Sequence, residues 1–411
     1  MAQPSATITG GVDTHKEFHV AAVIDDVGRS LGTERFTATA AGYCELLQWM
    51  KSFGELVMVG VEGTGCYGAG LARHLAQESV EVREVNRPNR QTRRRKGKSD
   101  PIDAEAAARS ALNGEATGLP KTRDGAVESI RVLHLAYCSA RKSRSKVACQ
   151  IRDLIVTSPE EIRCLLGDLT TEQRVERCAR LRPVGDLSDS VIGIKLALRF
   201  LAKRYQSFDT EMDELEQLLD QLTTSVNPAL KGSKGVGTDT AAILLVAAGE
   251  NPERFTNEAA FAALCGVSPV QASSGKTQRH RLNRSGNRQA NHALWRIVRV
   301  RMIWDPITKA YVTRRIAEGK SEREIVRCLK RYVAREVFRL LVNPQDVING
   351  ADLRSLRTGN GFTLTYVARE LGTSTSKVSN IERSIFHDTA FSERYLKWLN
   401  IAGSAGAQRA A

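Results

Sequence analysis

Leu56-Val57-Met58-Val59-Gly60-Val61-Glu62 is apolar almost throughout and then stops at a carboxylate. Such a run fits a strand covered on both faces, and so a sheet with helices packed on it. Reading backwards, Ala40 to Phe53 sets Leu46, Leu47 and Met50 on one side of a helix. Before it, Thr7 to Ile24 reads as two strands and Leu31 to Thr37 as a third, with Asp25-Asp26-Val27-Gly28 as a turn in an antiparallel meander. Reading forwards, Tyr67 to Gln77 is a helix, Val80 to Asn86 a strand, and another helix starts near Asp100. Three strands followed by alternating helix and strand predict a mixed sheet with helices on it.

Asp13 ends the first strand and Glu62 the fourth, where open sheets place ligand-binding residues. In Lys98-Ser99-Asp100-Pro101-Ile102-Asp103-Ala104 two further carboxylates stand three residues apart at a helix start, on one face. Ordinary capping would explain them as well: Asp100 as N-cap, Pro101 at the first helical position, Asp103 near the positive end of the dipole. Their company favours chemistry. Four converging carboxylates repel one another unless a divalent cation neutralises them, and hard oxygen ligands suit Mg2+ or Mn2+. Two such ions, roughly 4 Å apart, could activate a nucleophile and stabilise the leaving oxygen of a phosphodiester. The H-x3-H pair His15 and His19 lies in a strand-like segment that would hold the two rings too far apart to share a metal.

Charge points to the same kind of partner. The 411-residue chain carries a formal +14, which favours a polyanion, nucleic acid before membrane surface. Seven of the twelve residues from Arg87 to Lys98 are basic: Arg87, Arg90, Arg93, Arg94, Arg95, Lys96 and Lys98. Beside a phosphodiester site they would draw in a nucleic-acid backbone by counterion release; alone they are a solvated loop. The eight cysteines form no C-x-x-C pair, which argues against a zinc site or disulfide framework and for the cytoplasm. No apolar run reaches the roughly 18 residues of a spanning helix, and Met1 to Thr9 lacks signal-peptide character, so no membrane partner is expected.

Gly11-Val12-Asp13-Thr14-His15-Lys16, Val61-Glu62-Gly63-Thr64-Gly65 and the Lys98–Ala104 stretch together resemble the three motif blocks of the DEDD transposases of insertion sequences. That resemblance implies a RuvC-like, RNase H-fold N-terminal domain in which Asp13, Glu62, Asp100 and Asp103 bind magnesium.

Further along, Gly125 to Val156 and Asp189 to Thr223 read as long helices. In the second, Tyr205, Phe208, Met212, Leu215, Leu219 and Leu222 form a short coiled-coil-like seam that could pair within the chain or with a second copy. Gly235-Val236-Gly237 then opens an apolar helix, a turn able to present backbone N–H groups to a phosphate or simply a tight turn. Past Gly266-Val267-Ser268-Pro269 comes Ala272-Ser273-Ser274-Gly275-Lys276, followed by Arg279, Arg281, Arg284 and Arg288. Serine before glycine is usually a turn residue, and its hydroxyl is a poor nucleophile without help. These cations could hold a phosphate and its transition-state charge.

Gly266-Val267-Ser268-Pro269, Ser274-Gly275-Lys276 and Ser285-Gly286-Asn287-Arg288 resemble the C-terminal domain of the same transposases. The resemblance implies Ser274 as nucleophile, with Ser273 as the alternative, a structured guide (bridge) RNA pairing with DNA, and a homo-oligomer, dimer or tetramer, sharing its active sites. Ser285 stands where that family usually has a basic residue before Gly-Asn. At the end of the chain, Leu364 to Leu371, Gly372-Thr373 and Ser374 to Glu382 have helix-turn-helix proportions. Val367, Ala368, Leu371, Val378 and Ile381 would be its core, and Ser376, Lys377 and Asn380 would face DNA.

The expected organisation is an α/β RNase H-like domain over 7–115 and then all-α domains. These are a helical connector over 124–225, a serine-bearing transposase domain over 230–345 and a helix-turn-helix over 352–400. The expected activity is cutting and rejoining DNA. The alternatives are a metal-dependent Holliday-junction-type nuclease with no covalent intermediate, or a non-catalytic DNA-binding regulator.

Overall fold

A computed structural model describes residues 7–85, 99–275, 280–344, 348, 350–383 and 388–407. The chain forms two compact units, Met1–Gly125 with Gly249–Arg254, and Ala126–Ala248 with Phe255–Ala411.

The first unit is built on a five-stranded sheet of order β3-β2-β1-β4-β5, from β1 (Thr7–Thr14), β2 (Phe18–Asp25), β3 (Ser30–Thr37), β4 (Glu55–Glu62) and β5 (Glu81–Val85). β1–β2 and β2–β3 pair antiparallel, β1–β4 and β4–β5 parallel, giving the mixed sheet that the strand pattern predicts. On one face, α1 (Ala40–Lys51) and α2 (Ala69–Gln77) bury Leu46, Leu47, Met50, Leu71 and Leu75 against Val12, Val59 and Val61. Full burial of each large aliphatic chain contributes roughly 1.5–3 kcal/mol.

The other face carries α3 (Asp100–Leu112), whose buried side is made of Ala104, Ala107, Ala108 and Ala111. Small residues oppose small ones here. A Cβ on Gly11 would lie 2.2 Å from the Ala104 carbonyl oxygen and the Ala108 nitrogen, and one on Gly60 would lie 2.4 Å from the Ala107 carbonyl oxygen. These two glycines let the helix backbone lie directly on β1 and β4. Strand periodicity then places Asp13 on the same face as Gly11, and Glu62 on the same face as Gly60.

Among the described residues, the second unit is built of helices and one short hairpin. α4 (Ala126–Val156) and α7 (Ser190–Val226) pair antiparallel: Val127, Ile130 and Leu219 share one core, while Val147, Ile151, Ile155, Leu198 and Ala202 share another. The second core is closed by α5 (Glu160–Leu166) and α6 (Thr171–Ala179), two short helices the sequence reading does not anticipate. The seam residues Met212 and Leu219 are buried, and Arg144 of α4 covers the Tyr205 ring at 5.5 Å and pairs with Asp209. The seam therefore has a partner within the chain.

Following the short α8 (Pro228–Gly232), the first core is completed by α9 (Thr238–Ala248), α10 (Glu258–Leu264), α11 (Arg288–Trp304) and α13 (Glu322–Val342), with α12 (Pro306–Ala317) beside them. Beyond its first turn α9 is apolar on every side, and it is buried through Thr240–Leu245, as a central core helix should be.

The last four helices are α14 (Gly350–Gly359), α15 (Leu364–Glu370), α16 (Thr375–Glu382) and α17 (Thr389–Ala407). Val367, Ala368, Leu371, Val378 and Ile381 are buried together, as expected, and Gly372 turns the chain at a φ of +61°. A buried ion pair ties three of these helices. Arg357 Nε and Nη2 donate to Glu382 Oε1 and Oε2 at 2.7 and 2.9 Å, and the Tyr395 hydroxyl donates to Oε1 at 2.7 Å. Among the described residues, no helix is long and apolar enough to cross a membrane.

Candidate active site

Parallel pairing of Val12 with Val61 brings the ends of β1 and β4 level, so Asp13 and Glu62 emerge side by side. The Thr14 hydroxyl donates to the Glu62 carbonyl oxygen at 2.8 Å, lacing the two ends together. Because α3 lies on Gly11 and Gly60, its first turn, with Asp100 and Asp103, covers this end of the sheet.

The capping expectation for Asp100 is corrected here. Ser99, extended at φ −147°, occupies the cap position and its side chain makes no capping bond; Asp100 and Pro101 are the first two helical residues. With the cap position taken, the Asp100 carboxylate turns elsewhere. Its Oδ2 lies 3.5 Å from His15 Nε2, and Asp13 Oδ2 lies 3.3 Å from the same nitrogen. Ligand atoms of Asp13, His15 and Asp100 all fall within 4.8 Å of one another. Both separations exceed a normal N–H···O bond, and the buried Nε2 has no hydrogen-bond partner of good geometry among the described residues.

The three groups fit a divalent cation: two carboxylates supply negative charge, and an imidazole nitrogen supplies a neutral donor. Of the four acids read from the sequence, Asp13 and Asp100 join this trio. Asp103, only 4% exposed on α3, and Glu62, at the end of the neighbouring strand β4, lie outside it. His15 is the ligand candidate the sequence reading misses. The usable signal is its spacing two residues from Asp13, which in a strand-like segment puts both side chains on one face.

The serine region is built differently. Ser273 and Ser274 are exposed in the loop between β6 (Val270–Gln271) and β7 (His280–Arg281), and Gly275 follows at a φ of +55°. Of the cations assigned to nucleic acid, Arg87, Arg90, Arg93, Arg94, Arg95, Lys96, Lys98, Lys276 and Arg279 lie outside the described residues. Arg281, Arg284 and Arg288 are exposed. Arg281 and Arg284 line a cavity of about 630 Å³, and Arg284 and Arg288 a second one of about 510 Å³.

At the start of α9 the Asp239 carboxylate is held by three cationic or imidazole side chains. Asp239 Oδ1 sits 2.6 Å from His134 Nε2, and Arg296 and Arg141 pair with Oδ2. The His134 bond, opposed by burial and reinforced by Arg296, holds the Asp239 carboxyl far below the usual range. In the C-terminal helices Ser376 is exposed and Asn380 half-buried. Lys377 is half-buried, pairs with Asp388 at 2.9 Å and lies over the Phe391 ring.

Residues 10–158 match a family model described as a transposase, the DEDD type of the IS110 group. Residues 227–313 match a second, described as the transposase of the IS116/IS110/IS902 family. The chain is also 32% identical over 117 residues to the "Insertion element IS110 uncharacterized 43.6 kDa protein" of Streptomyces coelicolor. That alignment covers 28% of this chain and 29% of the relative. Asp13, His15, Glu62, Asp100 and Asp103 fall in the first matched segment and Ser274 in the second, whereas α14 to α17 lie beyond both. Both matched models carry the description transposase.

Proposed function

We propose that the chain is a transposase that cuts and rejoins DNA to move an insertion sequence, with a RuvC-like domain and a serine loop cooperating in phosphodiester transfer. The observation that carries this reading is the convergence of Asp13, His15 and Asp100 beneath a helix seated on glycines. Asp13 and Asp100, with His15 and with Glu62 and Asp103 alongside, would hold Mg2+ or Mn2+. When bound, such an ion neutralises phosphate charge and polarises the scissile bond.

The chain's own groups do the rest. Ser274 Oγ attacks phosphorus, the bond from phosphorus to the leaving oxygen breaks, and the proton lost by the hydroxyl balances the one that oxygen takes up. A phosphoserine ester conserves the bond energy, and a new strand end displaces the serine in the reverse sense. Arg281, Arg284 and Arg288, with Lys276 and Arg279, position the phosphate. The basic 87–98 segment adds backbone affinity, α15 and α16 add a DNA contact through Ser376, Lys377 and Asn380, and a guide RNA and a homo-oligomer complete the assembly.

The test is plasmid cutting and joining with Mg2+, using the gene's own flanking DNA. Ser274→Ala should abolish a protein–DNA adduct resistant to denaturation, and lower joining on the order of 10⁴-fold or more. Asp13→Asn should also stop cutting. Adduct-free cutting that survives Ser274→Ala would leave a metal-dependent nuclease. DNA binding that needs only residues after Gly350, with no cutting, would leave a regulator.

A further inference from the structure

α11 and α13 flank the cavity of about 510 Å³, closed on its third side by the loop Leu282–Asn287. Its floor is tight: a Cβ on Gly286 would lie 2.6 Å from the Leu264 carbonyl oxygen, and one on Gly266 would lie 2.8 Å from that of Ser285. Two kinds of side chain line it. His292 and Trp295 are stacked, 5.5 Å between ring centroids and 23° between planes, and Trp295 remains 41% exposed. Arg284, Arg288, Arg327 and Lys330 supply positive charge, and no carboxylate is found among the described residues that line the cavity. Lys330 is held in place, donating at 2.9 Å to Asn291 Oδ1, while Asn291 Nδ2 donates to the carbonyl oxygens of Cys265 and Gly266. Burial and then Arg327 push its ammonium below the usual lysine range, a cost that a bound anion relieves.

A simple anion would need no aromatic platform, and an apolar partner would not call for four cations. A nucleotide satisfies both demands, offering a flat base and a phosphate. The base must be unpaired, because in a duplex both of its faces are already stacked. We propose that this cavity seats one unpaired nucleotide of a nucleic-acid strand, its base on Trp295 and His292 and its phosphate among Arg284, Arg288, Arg327 and Lys330. The inference deepens the proposed function and rests on the chain acting on nucleic acid.

The experiment measures anisotropy of labelled single-stranded DNA, the same sequence as RNA, and the paired duplex on the full-length chain. Trp295→Ala should weaken single-strand binding about tenfold or more, since stacking on one aromatic is worth that much, while duplex affinity stays put. Trp295→Phe should restore most of the loss. Trp304→Ala, on the same helix, 76% exposed and not lining the cavity, should change nothing. Preference for DNA would identify a displaced strand as the source of the nucleotide, and preference for RNA a guide. Unchanged single-strand binding in Trp295→Ala, or equal loss for strand and duplex, would overturn the proposal. Strand cutting by the wild type alongside either result would leave the transposase reading intact. Trp295-dependent binding without any cutting would remove that reading and keep the cavity's role.

Discussion

Gly11 and Gly60 stand in regular strands with no room for a side chain, whereas Gly275 has no atom of the described residues within 4 Å of where its Cβ would lie and a left-handed φ of +55°. The first pair sets how closely α3 approaches the sheet, and through that distance the meeting of Asp100 with Asp13 and His15. The third glycine sets only the local path of a loop carrying Ser274. One half of the candidate chemistry is thus fixed by packing of whole elements, which transmits any change. The other half is fixed by backbone preference, which a loop absorbs.

The largest break in that comparison comes from Gly11→Val. Forcing its side chain into the α3 backbone should cost about 3 kcal/mol in a urea melt and abolish Mn2+ binding, since the first turn of α3 must move. A variant with wild-type stability and metal affinity would end the argument from packing. His15→Ala leaves the helix seated and should weaken Mn2+ binding by at least the roughly 10–100-fold seen when a supporting metal contact is lost, measured by calorimetry. Gly275→Ala should be milder, about 1 kcal/mol of local strain with little change in the melt. It should slow strand joining without touching metal affinity.

The smallest effect is on pH dependence. His19, fully buried on the opposite face of the sheet and stacked at 5.6 Å on Tyr43, has its imidazole pushed down by burial and, more weakly, by His15, against a backbone bond that raises it. The unfolded chain therefore takes up this proton first. Stability is complete above the ordinary histidine value of about 6.5 and falls as pH drops below it, before the carboxylates titrate. His19→Phe should flatten the melt between those limits; an unchanged slope would mean that other groups set it.

The sheet was legible because its strands carry their own signals: a nearly continuous apolar run in β4 and turn residues between β2 and β3. α3 was legible as an element, but its cap was not, since Asp100 and Ser99 are equally suited to capping by composition. His15 itself was hidden by its pairing in the sequence with His19, a spacing that suggested a metal and then excluded it. The short α5 and α6 escaped notice because their apolar faces, such as Ile162 with Leu166, are too brief to show a period. Lys377 could not be foreseen turning to Asp388, eleven positions on, because that approach depends on how α17 crosses α16.

α4 and α7 are 31 and 37 residues long, roughly 45 and 55 Å at the α-helical rise. Their two apolar clusters lie toward opposite ends, with the Arg144–Asp209 ion pair between. Two anchors joined by a thin waist need not melt as one. Amide hydrogen exchange should therefore separate the pair into two cooperative blocks, with the small knob of α5 and α6 opening at a lower free energy than the larger core at the other end and carrying a stiff arm with it each time it closes.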